Sequence, residues 1–446
     1  MPSENQPALG SQATIAAISQ LFSTQLLTVE QFIQAKLDRI AQINPTLNSL
    51  ITVRADLAMA RATLLDQELW RQSRGQLHGI PIAVKDNIDT AEILTTIGSA
   101  HFCDRVPKTD AAVVQALTAA GAILLGKTNV SEFAADISGH NATYGDMPNP
   151  RNFAHTAGGS SGGMASAIAA QLCLGGLGTD TGGSIRIPAS WTGIVGLRPT
   201  QGLISMAGVF PRAPSFDTVG VMAGCVADVA ALWAAISGRR SPASTIQQSS
   251  SADLQRLRLG IVHNFTFRDV DPAIAQAIHQ VIVRCQQQGA QIVTVTSAFL
   301  TQEFSPQLYS TIALYEFDQI FGATVRATPQ NFGAKVRQDV TQGEQITFVD
   351  YTQAQAIRQQ HMAQFSEIFN LIDLLLTPTT PRVAPLLTAA VVGRDRRFVQ
   401  PFSWLGLPAI SLPCGWSADL PIGLQLVGDR HTESALLQAA ATIEAI

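Results

Sequence analysis

The chain has 446 residues, of which 46% are hydrophobic and 14% charged, with a formal net charge of −4. That composition excludes a disordered chain and implies a large core, built as two or three ordinary domains or as one large α/β domain. The mildly acidic balance lacks the basic footprint of a nucleic-acid binder, so no direct nucleic-acid contact is expected.

Taken in chain order, residues 12–43 carry apolar side chains at helical spacing (Ile15, Ile18, Phe22, then Leu27, Phe32, Ile33, Leu37 and Ile40). Thr28 followed by Glu30 and Gln31 predicts a capped start to a second helix. His78–Val84 predicts a strand that ends in the polar loop Lys85-Asp86-Asn87. A helix over Asp110–Ala120 then leads through Gly121 into a strand at Ala122–Leu125. Helix alternating with apolar strand predicts an α/β sheet covered on both faces. His155–Thr200 is dense in Gly and Ser yet carries apolar runs. Gly238–Asp253 has the Ser, Gln, Arg and Pro content of a linker. Leu257–Val262, Ala273–Gln288 and Ile292–Val295 predict a βαβ unit, followed by a polar helical region to about Asn370. Strands are predicted at Leu374–Thr377, Ile410–Pro413 and Ile422–Val427.

The five cysteines (Cys103, Cys173, Cys225, Cys285 and Cys414) are scattered without a CxxC pair. Neither a disulfide framework nor a metal site is expected, and a reducing, cytoplasmic location follows as the default. Met1–Gly10 has no cationic start or apolar run of a signal peptide, and no apolar stretch is long enough to span a membrane.

Gly121-Ala-Ile-Leu-Leu-Gly126-Lys127-Thr128 matches the phosphate-cradling P-loop pattern letter for letter. Its four middle residues want to be a buried strand, however, and a helix precedes them rather than follows, so nucleotide binding is rejected. Gly159-Ser160-Ser161-Gly162-Gly163 matches the nucleophile elbow of α/β hydrolases. That motif needs a strand directly before it, and Asn149–Thr156 reads as loop. His431, the only late histidine with acids nearby (Asp429, Glu433), is a weak partner for such a triad.

A third constellation is more specific. Lys85 closes an apolar strand in a chain with only five lysines among 29 basic residues. Burial pulls an ammonium toward neutrality and lets it act as a base, which arginine cannot do. Paired with Asp86 or Asp89, Lys85 would instead be structural. In Thr181-Gly182-Gly183-Ser184 the glycines let backbone N–H groups converge on one point, a site for an oxyanion with Ser184 as nucleophile; a tight turn capped by Ser184 is the plainer alternative. Ser160 and Ser161, set among four glycines, supply a hydroxyl able to relay a proton between Lys85 and Ser184, where the alternative is a hinge loop. Each alternative is reasonable singly, but the three features together point to acyl-transfer chemistry.

These residues resemble a known family. The segment Ala157–Thr200 closely resembles the amidase signature, and the likeness runs along nearly the whole chain. It takes in Gly79-Ile-Pro-Ile-Ala-Val-Lys85-Asp-Asn, Gly126-Lys-Thr-Asn-Val-Ser-Glu-Phe133, Gly196-Leu-Arg-Pro-Thr200, Gly406-Leu-Pro-Ala-Ile-Ser-Leu-Pro413 and Leu420-Pro-Ile-Gly-Leu-Gln425. The resemblance implies one α/β domain over residues 1–446, with a mixed central sheet packed between helices. Within it, N-terminal helices (about 12–43) precede the signature core (about 75–235) and a C-terminal α/β part (about 257–446). It further implies a Ser–cis-Ser–Lys triad of Ser184 (nucleophile), Ser160 (bridge, the first serine of the pair) and Lys85 (base). The N–H groups of Thr181, Gly182, Gly183 and Ser184 would form the oxyanion hole, Ser161 would orient Lys85, and Asp180 and Arg186 would brace the loop. One departure is Ala157, where proline usually stands.

By the same resemblance Phe133–Ser138, including Ala134, border the acyl pocket, and Tyr309 and Arg358 stand where relatives that bind a carboxylated substrate carry Tyr and Arg. No cofactor is implied. The partner expected is a small amide or ureido substrate, and a homodimer is one candidate assembly. The short segment Thr388–Ser403, with Arg394-Asp-Arg-Arg-Phe-Val-Gln-Pro401, resembles stand-alone amidases more than the glutamine-amidase subunit of a tRNA-dependent amidotransferase, which is the alternative.

Overall fold

Thr28 caps its helix as the spacing predicts: its side chain accepts from the Gln31 N–H, and the Gln31 side chain accepts in return from the Thr28 N–H. The computed structural model describes residues 13–68, 75–239 and 254–446. Its first helices are Ile15–Ser23 and Val29–Leu47, and most of the predicted linker, residues 240–253, lies outside the described residues, as does Met1–Gly10. No described helix is long and apolar enough to cross a membrane.

The described strands are β1 (Leu50–Val53), β2 (Pro81–Lys85), β3 (Ile123–Thr128), β4 (Pro148–Asn149), β5 (Asn152–Thr156), β6 (Gly175–Thr179), β7 (Val195–Arg198), β8 (Val219–Ala223), β9 (Arg258–Ile261), β10 (Gln291–Thr294), β11 (Leu374–Pro378), β12 (Ala409–Ser417) and β13 (Leu420–Val427). Eleven of them form one sheet in the order β1-β3-β2-β6-β8-β7-β12-β13-β11-β9-β10. The β3–β2–β6 and β11–β9–β10 runs are parallel, and the remaining neighbours pair antiparallel. The molecule is therefore a single α/β domain with a mixed sheet flanked by helices. Every residue of β2 and β6 is buried, as parallel strands covered on both faces require.

Two local findings bear on the motif matches. The P-loop look-alike is strand β3: Lys127 is wholly buried, and its Nζ donates to the Ile88 carbonyl and to the hydroxyls of Thr90 (3.1 Å) and Thr95 (2.8 Å). The segment before the glycine–serine run, expected to be loop, is instead the two-stranded ribbon β4–β5. Its polar sequence conceals the strands because Asn149 and Asn152 turn their side chains onto nearby backbone N–H groups, of Arg151 (3.0 Å) and Ala154 (3.1 Å).

Glycine-rich β6, a poor strand by propensity, is central because its neighbours come so close. A Cβ on Gly176 would stand 2.0 Å from the Ala83 carbonyl oxygen of β2. Gly176→Ala should therefore destabilise the fold by about 1–3 kcal/mol or more, whereas Gly393→Ala, with nothing within 4 Å of the added carbon, should stay within about 0.5 kcal/mol of the parent. Thermal or denaturant melts of the two variants check the contrast.

Candidate active site

Lys85 is the last residue of β2, and the parallel register of β2 with β6 (Val84 opposite Leu177) brings it beside Thr179. The side chain is completely buried. Its Nζ lies 2.7 Å from Ser160 Oγ, 2.8 Å from Thr179 Oγ1 and 3.4 Å from the Thr179 carbonyl oxygen. Asn87 also donates to Thr179 Oγ1, at 3.1 Å. Neither structural pairing of Lys85 occurs. Asp86 accepts from the Thr96 N–H and hydroxyl and stands 4.0 Å from Lys127, while Asp89 holds Arg105 at 2.8 Å through both oxygens. Burial pulls the Lys85 amine down to about 7, against the opposing pull of the Asp180 and Asp217 carboxylates.

The glycine–serine run packs tightly over this amine, and its Gly159–Ser160 peptide is cis. Gly158 has φ of +81°, and a Cβ there would stand 2.7 Å from the Trp191 ring. Ser161 is N-terminal to the helix Gly162–Ala169; its N–H donates to the Ser184 carbonyl (3.2 Å) and its hydroxyl to the Thr179 carbonyl (3.3 Å). Ser161 thus reaches the carbonyl that Lys85 also approaches, and the direct hydroxyl partners of Lys85 are Ser160 and Thr179. Thr179 escaped the sequence reading because nothing in Gly-Leu-Gly-Thr separates a strand-end threonine from a ligand of the lysine.

Asp180 and Arg186 are both fully buried. The guanidinium bonds both carboxylate oxygens at 3.0 Å, and Arg198 adds a contact of 3.1 Å. Burial pushes the Asp180 carboxyl up, but the Arg186 and Arg198 charges outweigh it and hold the group well below the usual carboxylate range. Arg186 continues to Gln425 (2.9 Å), Ser403 (2.6 Å) and the Val399 carbonyl (3.0 Å), so the loop is tied to the C-terminal half of the chain. Asp180 also takes the Gly183 N–H at 2.8 Å. That removes Gly183 from the expected oxyanion donors, because a carboxylate is the stronger acceptor. The N–H groups of Thr181, Gly182 and Ser184 have no acceptor among the described residues. Thr181 is steadied by its hydroxyl, which donates to Asp217 at 2.6 Å; burial raises the Asp217 carboxyl to about 6 against the hydrogen bonds it accepts.

Ser184, Thr181 and Gly182 face a cavity of about 120 Å³. Of the expected acyl-pocket stretch, Ala134, Ala135 and Ile137 line it. Phe133 turns away instead into a cluster with Phe317, Phe321 and Phe332, and Phe133 and Ala134 both take the left-handed conformation (φ 52° and 53°) that aims the stretch at the cavity. Tyr309 also lines the cavity, stacked on Phe216 (centroids 4.4 Å apart) and so close that a Cβ on Gly182 would meet its hydroxyl at 2.7 Å. Arg358, expected beside it, does not line the cavity. Its guanidinium bonds the Trp404 carbonyl and Gln201, each at 2.7 Å, and lies over the Phe216 ring at 4.8 Å. The charged side chains that do line the cavity are Arg212, Lys335, Asp339 and Arg396, none of which the sequence reading singled out. Among the described residues no cluster of His, Cys, Asp or Glu is placed to hold a metal ion.

The model of the Amidase family matches residues 31–437. The chain is 35% identical to a glutamyl-tRNA(Gln) amidotransferase subunit from Thermosynechococcus vestitus, over 92% of this chain and 93% of that one. Among solved structures it is similar to a chain of a vestigial protein complex bearing on the evolutionary origins of an s-triazine catabolic enzyme (TM-score 0.89, 27% identity, 97% and 98% covered). It is also similar to the peptide amidase of Stenotrophomonas maltophilia (TM-score 0.86, 29% identity, 98% of each chain). From the buried lysine at the end of β2 to the glycine-rich turn around Ser184, this chain belongs to the Amidase family.

Proposed function

We propose that the protein hydrolyses the carbon–nitrogen bond of a small amide or ureido substrate through an acyl-enzyme on Ser184. The observation that carries the reading is a completely buried Lys85, drawn toward neutrality and 2.7 Å from the hydroxyl of Ser160. Ser184 Oγ attacks the substrate carbonyl carbon. Its proton moves to Ser160, and the proton of Ser160 moves to the neutral Lys85 amine. The oxygen that gains the charge is held by the N–H groups of Thr181, Gly182 and Ser184. Collapse of the tetrahedral intermediate breaks the carbon–nitrogen bond, and the leaving amine takes its proton from Lys85 through Ser160. Water then attacks the acyl ester by the same relay and frees Ser184. Thr179 holds the amine in line, and Asp180 with Arg186 and Arg198 fixes the turn. All five cysteines are unpaired, which supports a reducing compartment such as the cytoplasm.

A second reading is favoured by the 35% identity to a glutamyl-tRNA(Gln) amidotransferase component. Here the same chemistry would release ammonia from glutamine for a partner protein, which would supply the tRNA contacts. The stand-alone reading is preferred because of the short Thr388–Ser403 segment and the charges of the cavity, taken up below.

Ammonia release from a panel of primary amides by the purified chain should be measurable, and Ser184→Ala should lower it by at least about 10⁴-fold. Turnover that survives in Ser184→Ala would sink the mechanism. Silence on every small amide, with glutamine turnover appearing only after tRNA and a partner protein are added, would select the second reading. Because Lys85 must be neutral to accept a proton, kcat/KM should rise about tenfold per pH unit up to a midpoint near 7 and level off above it. A profile flat from pH 5 to 9 would contradict Lys85 as the base.

A further inference from the structure

The cavity in front of Ser184 is lined by three cations, Arg212, Lys335 and Arg396, and a single carboxylate, Asp339. Asp339 is fully buried and already neutralised, since it is ion-paired with both Arg212 and Lys335. Arg212 is 8% exposed and lies over the Phe317 ring at 3.9 Å; its Nη1 is buried without a hydrogen-bond partner.

Arg396 stands apart from its neighbours in the run Arg394-Asp395-Arg396-Arg397. Arg394 lies 3.8 Å from Asp271. Asp395 holds Arg382 through both oxygens at 2.7 Å. Arg397 donates to the carbonyls of Phe265 (3.0 Å) and Arg268. Arg396 alone makes no side-chain hydrogen bond or ion pair among the described residues, and it is half-buried against the cavity that holds Ser184 and Tyr309. A guanidinium half withdrawn from water without an acceptor leaves its donors to be filled, and those of Arg396 border the cavity that Ser184 lines. The segment is held in place from the other side as well: Val399, whose N–H bonds the Arg396 carbonyl at 3.0 Å, accepts from Arg186 and packs against Gly183.

We propose that the acyl part of the substrate carries a carboxylate, bound by Arg396 in the cavity that Ser184 lines. The assignment rests on the amidase reading of that cavity and narrows it to half-amides of short dicarboxylic acids and their ureido counterparts. A planar carboxylate matches the guanidinium fork, and Arg396, Tyr309 and Ser184 line one cavity, so the carboxylate and the scissile carbonyl are assigned to the same short acyl group. The same charges select against an α-amino acid. An α-ammonium group would face Arg396, and the one carboxylate within reach is already shared by two cations. Glutamine is therefore a poor fit although it, too, has a carboxylate.

The test compares succinamate and glutaramate, each with a neutral isostere carrying an isopropyl group in place of the carboxylate, and with asparagine and glutamine. The native enzyme should prefer the carboxylates over their neutral isosteres by at least about tenfold in kcat/KM, and over the amino acids likewise. In Arg396→Gln the ratio of carboxylated to neutral substrate should fall roughly 10- to 100-fold, chiefly through KM, with Arg396→Lys in between. A ratio that is near one in the native enzyme, or unmoved in Arg396→Gln, overturns the proposal, as does a preference for glutamine over glutaramate. Calorimetric binding of succinate and glutarate to the Ser184→Ala protein, with and without Arg396→Gln, needs no turnover. Arg396-dependent binding without hydrolysis of any amide would uphold the carboxylate site and fail the amidase reading. Hydrolysis of neutral amides without dicarboxylate binding would do the reverse.

Discussion

An amine at the buried end of a parallel strand has two ways to exist. It can keep its charge by pairing with a carboxylate, or it can give the charge up. The two buried lysines of adjacent strands illustrate both. Lys127 on β3 has Asp86 at 4.0 Å and three oxygen acceptors, and burial brings it down to about 8. Lys85 on β2 has hydroxyl and carbonyl partners but no carboxylate in contact, and burial brings it to about 7. The rest of the site is arranged around that second case. Glycines in β6 let Thr179 come up beside the amine, and the glycine run before Ser160 lets a serine hydroxyl lie on top of it. The nearest anions, Asp180 and Asp217, are committed to arginines, backbone N–H groups and Thr181.

The anion Asp180 organises the other half of the chemistry. Two buried guanidinium groups keep it ionised, and it fixes the N–H groups of Gly183 and Ile185. Through Arg186 this turn is bonded to β13 and to the helix Gln400–Trp404, which follows the Arg396 segment in sequence. The turn that carries Ser184 and the segment that carries Arg396 are thus one bonded unit, assembled from residues more than 200 positions apart. Breaking such a buried ion network by removing one partner ordinarily costs about 3–5 kcal/mol.

Much of this was legible in the sequence, for identifiable reasons. Strands β2, β3, β9 to β13 and the first helices carry period and cap signals that local chemistry dictates. Lys85, Ser160, Ser184, Asp180 and Arg186 sit in long runs whose glycines advertise close backbone approach, and Ala134 and Tyr309 do line the cavity. What failed was whatever depends on which acceptor each donor finds in the fold. The ribbon β4–β5 has polar strands stabilised by asparagine side chains. Gly183 is lost as an oxyanion donor because its N–H falls to Asp180, three residues back. Arg358 looked like a substrate ligand because arginine suits carboxylates, yet two of its nitrogens bond Trp404 and Gln201 and it does not line the cavity of Ser184. Arg396, which is free, was indistinguishable from Arg394 and Arg397 until their partners were known.

The central claim is that Lys85 is neutral, or nearly so, at the pH where the protein works. Direct titration of its side chain by NMR, with lysine labelled at Cε and Nζ and assigned through Lys85→Arg, tests that most directly. A midpoint near 7 is the result expected. A Lys85 that titrates near 10.5, like an exposed lysine, would mean that the amine keeps its charge in the folded protein and is not the base.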